Sequence, residues 1–259
     1  VHAIDVRAAA EGVGMYVASG DTPGLTTTDS DPYAVAVGGT TLGIGAAQNR
    51  LFETGWSDDF GSLAGGTWQD EGVSGGGGGV SGVYPQPSYQ KGVVPASMAQ
   101  VRVAGKTVLG RTVPDISADA DPDTGMLIGY TETDSNGKPG RYLTVVNAGT
   151  SLATPLVAGL VADAQQGQKT PYGFIDPLLY RLAPTQAFHD ALPVGASTPK
   201  PDRAAYIAPI DDFTSANVDV FDDQQRSQTQ QVTAKGYDTM TGIGTPNGAV
   251  FIAALRRGH

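Results

Sequence analysis

Apolar residues follow two rhythms along this chain: short continuous runs bounded by glycine and polar turns, and stretches in which they recur every three or four positions. Ala3 to Gly12 has helical spacing, with Ile4, Ala8 and Ala9 apolar and Gly12 as its stop. Val13 to Ala18 predicts a buried strand running into the turn-rich loop Ser19-Gly20-Asp21-Thr22-Pro23-Gly24. Tyr33 to Leu42 predicts a second buried strand, and a polar, irregular region with Trp56 and Trp68 follows. Met126–Thr131 and Tyr142–Val146 predict a hairpin turning at Ser135–Gly140. After Asn147-Ala148-Gly149-Thr150-Ser151, the residues Leu156, Val157, Leu160, Val161 and Ala164 mark one face of a helix. Asp176 to Leu182 predicts another, with proline in its first turn. Residues 195–235 predict a long surface loop, Lys235 to Pro246 a set of tight turns, and Ala249 to Arg257 a closing amphipathic helix with a basic last turn. Helix, strand and functional loop in that order suit an α/β fold built on a parallel sheet.

The 259 residues suffice for one large α/β domain or two small ones, and 40% apolar residues allow a sizeable core. The net charge of −10 argues against nucleic acid or an anionic membrane as partner, and is compatible with an acidic medium in which carboxylates protonate. With no cysteine there are no disulfides, thiolate catalysis or cysteine metal sites. No apolar run reaches the length of a membrane span. The chain starts with Val1 rather than methionine and shows no signal peptide, so its start reads as a processed or excised end.

Ser151 sits where a strand turns into a helix, near unpaired N–H groups and a partial positive charge. A serine there serves as an N-cap or as a nucleophile. Gly75 to Gly79 is a run of five glycines, without the Gly-Lys-Ser/Thr of a phosphate loop; such a run also lets a substrate backbone lie close. Asp115, Asp119, Asp121 and Asp123 invite an EF-hand reading. It fails, because the sixth position is Thr124 and the twelfth Tyr130, so a structural loop is the better reading.

Gly149-Thr150-Ser151-Leu152-Ala153-Thr154-Pro155 resembles the nucleophile motif of subtilisin-like peptidases and of their acid-acting relatives, the sedolisins. Ala18 to Asp21, Pro32 to Thr40, Gly75–Gly79 with Tyr89-Gln90, Val113 to Gly125, and Gly236-Tyr237-Asp238 with Thr241 to Gly244 resemble sedolisins in the same order over nearly the whole chain. The resemblance implies a subtilisin-like α/β fold with a mainly parallel sheet flanked by helices, an endopeptidase acting on polypeptides, and one structural Ca2+. It makes Ser151 the nucleophile and Asp21 the oxyanion-hole aspartate. A carboxylate base moves the useful pH range down, and an aspartate donates to an oxyanion only when protonated, so both favour acid. The competing reading of Asp21 is a local Asx-turn. For calcium the resemblance implies the Asp190 carboxylate, the carbonyls of Ala191, Ala234 and Gly236, and the Asp238 carboxylate; Asp212 and Phe213 are the alternative to Asp190 and Ala191.

The family's base is a glutamate with an aspartate four residues on, one helical turn apart, N-terminal to the Ser-Gly-Asp motif. No Glu-x-x-x-Asp pair precedes Asp21 here. Residues 1–259 therefore read as a peptidase catalytic domain lacking its N-terminal portion, which is expected as a second chain from the same precursor; a truncated, inactive remnant is the alternative. A Ser-His-Asp peptidase is the near rival, although His2, His189 and His259 lie in no catalytic context. A non-catalytic domain on the same fold is the rival from another class. An acid-active peptidase with a processed start is expected outside the cell.

Overall fold

The computed structural model describes residues 1–26, 28–193, 204–211, 215–221 and 231–258. Helix α1 (His2–Ala10) leads into strands β1 (Tyr16–Ala18) and β2 (Val35–Ile44). The stretch read as irregular folds into β3 (Arg50–Gly55), β4 (Ser57–Ala64) and β5 (Thr67–Gly75). Strands β6 (Gly79–Pro85), β7 (Gln100–Val103), β8 (Lys106–Val113) and β9 (Ile116–Asp119) follow. The hairpin β10 (Met126–Thr133) and β11 (Pro139–Asn147) has the expected turn and precedes α2 (Thr150–Gln165) and α3 (Asp176–Leu182). Short β12 (Phe188–His189), β13 (Ala204–Asp211), β14 (Ser215–Phe221), β15 (Thr245–Pro246) and helix α4 (Gly248–Gly258) complete the order.

The centre is β2. Its carbonyls alternate between two edges: Val37 and Gly39 accept from Ser19 and Trp56 on one side, Ala36 and Thr40 from Asp115 and Ala120 on the other. Parallel β1 and antiparallel β3 thus share one edge of β2, and parallel β9 occupies the other. Residues Val35 to Thr41 are buried without interruption, as expected of a strand covered on both faces. Helix α2 packs across β1, β2 and β9 and against α4. Its Ala153, Val157, Val161 and Ala164 meet Val35, Val37, Ile116, Phe251 and Leu255 in the core.

Two expectations are corrected. Strand β1 is half-buried rather than buried, because among the described residues it is paired along one edge only. Residues 195–235 are not simply loop: β13 and β14 lie within them and extend an antiparallel sheet in the order β13-β14-β4-β5. Among the described residues, no helix is long and apolar enough to cross a membrane.

One polar cluster is sealed in the core. Arg111 is fully buried, and its two terminal nitrogens reach the two carboxyl oxygens of Asp115. Asp115 also accepts from the Ala36 N–H at 2.8 Å and the Tyr180 hydroxyl at 2.8 Å. Asp176 lies 3.7 Å from Arg111, equally buried, with no hydrogen-bond partner for either oxygen among the described residues. Two carboxyls therefore share one guanidinium. Burial first, then the Asp115 charge, pushes the Asp176 carboxyl well above its ordinary 3.8. As pH rises past the ordinary value, the unfolded chain gives up this proton before the folded one. Stability from this group is complete in acid and is lost as pH climbs toward the folded value. Asp176→Asn, similar in shape and unable to ionise, is expected to flatten that decline. Melting temperatures of both proteins from pH 4 to pH 8 check it; identical slopes would show that Asp176 is not responsible.

Candidate active site

Ser151 stands in the first turn of α2, exposed, one residue into the helix. It is not the N-cap. That position is Gly149, in the left-handed region at φ 84°, which a glycine adopts without steric cost. Pro155 lies one turn on; lacking an N–H, it makes no helical bond to the Ser151 carbonyl. Ser151, Pro155 and Gly159 form an exposed stripe along α2.

The cap comes from another part of the chain. The Asp21 carboxylate oxygen Oδ1 accepts from the Thr150 N–H at 2.7 Å and from the Thr150 hydroxyl at 2.8 Å. A negative group at a helix start is electrostatically favoured there. The Asx-turn expected as the alternative is not what this side chain makes: its partners lie 129 residues away. Gly20 turns the chain toward α2 at φ 105°, and its N–H donates to Thr150 Oγ1 at 3.2 Å. Room is made by Gly149, where a Cβ would stand 2.7 Å from Asp21 Oδ2. The structure thus brings Asp21 and Ser151 to the same helix end, as the motif spacing alone did not reveal.

The glycine run braces this loop. Gly75, Gly77 and Gly78 donate to the carbonyls of Asp21, Gly20 and Gly24 at 3.1, 2.8 and 2.8 Å. Gly75 to Gly78 are buried, and a Cβ on Gly77 would meet the Ser19 carbonyl oxygen at 2.0 Å. The backbone approached by these glycines is therefore the protein's own. On the far side Gly24 donates to Gln231 Oε1 at 3.0 Å. Thr150 lies within the Gly-Thr-Ser motif and Gln231 in the stretch read as loop, and the sequence carries no signal of this work for either.

Other polar residues divide clearly. His2 Nδ1 lies 2.7 Å from an Asp31 carboxylate oxygen, and His189 lies in β12; among the described residues Ser151 Oγ bonds neither. His259 lies outside the described residues. The acids of 119–123 hold their own loop, Asp119 accepting from Thr124 and Asp121 from Thr41, both at 2.7 Å. Burial pushes Asp119 up to about 7. A cavity of about 600 Å3 is lined by Asp119, Glu53, Met126, Pro155, Gly159 and other residues further along α2, not by Ser151 or Asp21.

Among the five residues named for calcium, Asp190 accepts from the Gly236 N–H at 3.0 and 3.1 Å. Asp238 accepts from the Ala234 N–H at 2.8 Å and from the N–H groups of Met240 and Thr241. The loops 190–191 and 234–238 are therefore neighbours. Asp238 is 1% exposed, and burial pushes it up to about 7. No described backbone N–H bonds to the carbonyls of Ala191, Ala234 or Gly236. Among the described residues no cluster of three or more His, Cys, Asp or Glu side chains is placed to hold a metal. Two carboxylates and three unclaimed carbonyls nevertheless match the all-oxygen chemistry of a hard cation. Asp212 and Phe213, the alternative pair, lie outside the described residues.

The model of the subtilase family of peptidases matches residues 1–184. Kumamolisin from Bacillus sp. (strain MN-32) is 34% identical over 262 residues, covering 96% of this chain and 37% of its own length. Sedolisin from Pseudomonas sp. (strain 101) is 31% identical over 212 residues, covering 76% of this chain and 29% of its own. Among solved structures, Pseudomonas sedolisin, a serine-carboxyl proteinase complexed with two molecules of pseudo-iodotyrostatin, superposes with a TM-score of 0.65 at 25% identity, over 99% of this chain and 59% of that one. The chain thus spans well under half the length of these two curated relatives, and the expected subtilisin-like α/β fold is present. With its Ser-Gly-Asp loop tied to the start of the Gly-Thr-Ser helix, the chain belongs to the subtilase family, on its sedolisin side.

Proposed function

We propose that this chain is the C-terminal majority of the catalytic domain of an acid-acting serine endopeptidase whose base lies in a segment N-terminal to Val1. The observation carrying this reading is the pair of hydrogen bonds from Thr150 to Asp21, which sets the aspartate beside the serine's helix start. Ser151 Oγ attacks the scissile carbonyl carbon and its proton passes to the glutamate of the upstream pair. The carbonyl oxygen, now an oxyanion, accepts a hydrogen bond from protonated Asp21. Collapse of the adduct breaks the C–N bond, the amine leaves with the proton returned by the glutamate, and water later releases the acyl group by the same steps. The absence of a Glu-x-x-x-Asp pair ahead of Asp21, the edge of β1 left unpaired among the described residues and the exposed Val1, Ile4 and Val13 support an upstream partner on this side.

The test is peptide hydrolysis from pH 3 to pH 8 by the protein bearing its upstream sequence, with intact-mass analysis of the active species. An optimum in acid and a polypeptide carrying Glu-x-x-x-Asp are expected. Activity confined to pH 8 would favour a histidine triad. Failure of Ser151 to react with a peptide aldehyde at any pH would favour a non-catalytic domain.

Within the same reading, the carboxylates of Asp190 and Asp238 and the carbonyls of Ala191, Ala234 and Gly236 would hold Ca2+. Bound there, it would offset the buried charge of Asp238 and tie the two loops together. Removing it with a chelator is expected to cost about 3 kcal/mol at a calcium concentration one hundred times its dissociation constant. Melting temperature with and without added Ca2+ measures this, and Asp238→Asn is expected to abolish the difference. Equal melting temperatures in the unaltered protein would dismiss the site.

A further inference from the structure

We infer that Thr150 is a positioning residue that selects which oxygen of Asp21 carries the catalytic proton. The inference rests on the reading of Asp21 as oxyanion donor and goes one step deeper. Thr150 Oγ1 accepts from the Gly20 N–H at 3.2 Å, and its single proton points to Asp21 Oδ1 at 2.8 Å. The Thr150 N–H reaches the same oxygen at 2.7 Å. An oxygen that already accepts two hydrogen bonds is a poor seat for a proton, since the proton would have to displace one donor. Oδ2 is left to be the O–H, beside Gly149, where the absent Cβ leaves it space.

The hydroxyl therefore acts as a one-way relay: Gly20 orients it, and it orients the carboxyl. A carboxyl without this lock rotates, and its proton is shared between two oxygens aimed in different directions. An oxyanion donor works by being fixed before charge develops, so the loss falls on the transition state. Thr150 touches no substrate; it is fully buried, and its methyl packs toward Gly39. Valine removes the hydroxyl and keeps the shape, and serine keeps the hydroxyl.

The experiment measures kcat and KM for peptide hydrolysis by the enzyme with its upstream segment in place, with melting curves to confirm folding. Thr150→Val is expected to lower kcat by about 10- to 100-fold, at or below the lower end of what loss of a whole oxyanion donor costs. KM stays within about twofold, because the interaction matters only in the transition state. Thr150→Ser is expected to restore kcat to within about threefold. In an Asp21→Ala background, Thr150→Val is expected to have no further effect. Should the valine variant not fold, Thr150→Ala makes the same comparison. An equal loss for serine and valine, or an undiminished valine effect without Asp21, overturns the inference and leaves the oxyanion reading standing. Full activity of Asp21→Ala alone overturns the oxyanion reading itself.

Discussion

Ser151→Ala is expected to lower kcat for peptide hydrolysis by on the order of 10^6, the scale set by removing the nucleophile of a serine peptidase. Its melting temperature should move by no more than about 2 °C. The two halves of this expectation have separate grounds. The side chain is exposed, and its hydroxyl has no hydrogen-bond partner among the described residues, so its removal strands nothing. The helix start is capped by Asp21 and not by Ser151, so the cap survives. Catalysis fails because the oxygen that forms the bond to carbon is gone, and the remaining groups act only as a unit with it. Parallel kinetics and thermal melts on the protein with its upstream segment check this. A tenfold loss, or one accompanied by unfolding, would remove Ser151 from the nucleophile's role.

Arg111→Met should have the largest effect on the fold, about 3–5 kcal/mol, the usual cost of deleting one partner of a buried ion pair. The guanidinium is the cation that faces both Asp115 and Asp176 inside the core. Without it Asp115 keeps the Ala36 N–H and the Tyr180 hydroxyl but loses its counter-charge. The damage is expected to reach the candidate site. Asp115 fixes the entry to β9 through N–H to Ala36 O, and the Ala120 carbonyl just past β9 accepts from Gly149 N–H at 2.6 Å. Urea denaturation gives the free energy directly. Arg111→Met with Asp115→Asn is expected to recover part of the loss, because much of the penalty is the stranded charge. If the double variant is as unstable as the sum of the single ones, the damage comes from packing rather than from an unpaired carboxylate.

How much of this was legible in the sequence depended on the kind of signal. Helices α1, α2, α3 and α4 declared themselves by periodicity and by Gly12, Pro177 and the basic last turn. Strand β2 was visible because burial on both faces leaves an unbroken apolar run. Strands β3, β4 and β5 were hidden because they are rich in polar residues and half-exposed, with little alternation to read. Strand β14 did offer a period of two, with Ala216, Val218 and Val220 separated by Asn217 and Asp219, but its polar setting masked it. The candidate site was recognisable through Ser151 and Asp21 as motifs. Their convergence was not, because it depends on Thr150 bridging 129 residues, and hydrogen bonds of that range leave no local trace. The Gly75–Gly79 run shows the same limit: composition announced a close backbone approach, and only the fold identified whose backbone it was.

The bond from Gly24 to Gln231 links residues 207 positions apart, across the loop that holds Asp21. During synthesis the loop around Asp21 is made first, and the residue that secures its far side follows 207 positions later. Contacts of such long range form late, after the entropy of closing the intervening chain has been overcome. The growing polypeptide therefore contains both Asp21 and Ser151 before Gln231 is added to brace the far side of the Asp21 loop.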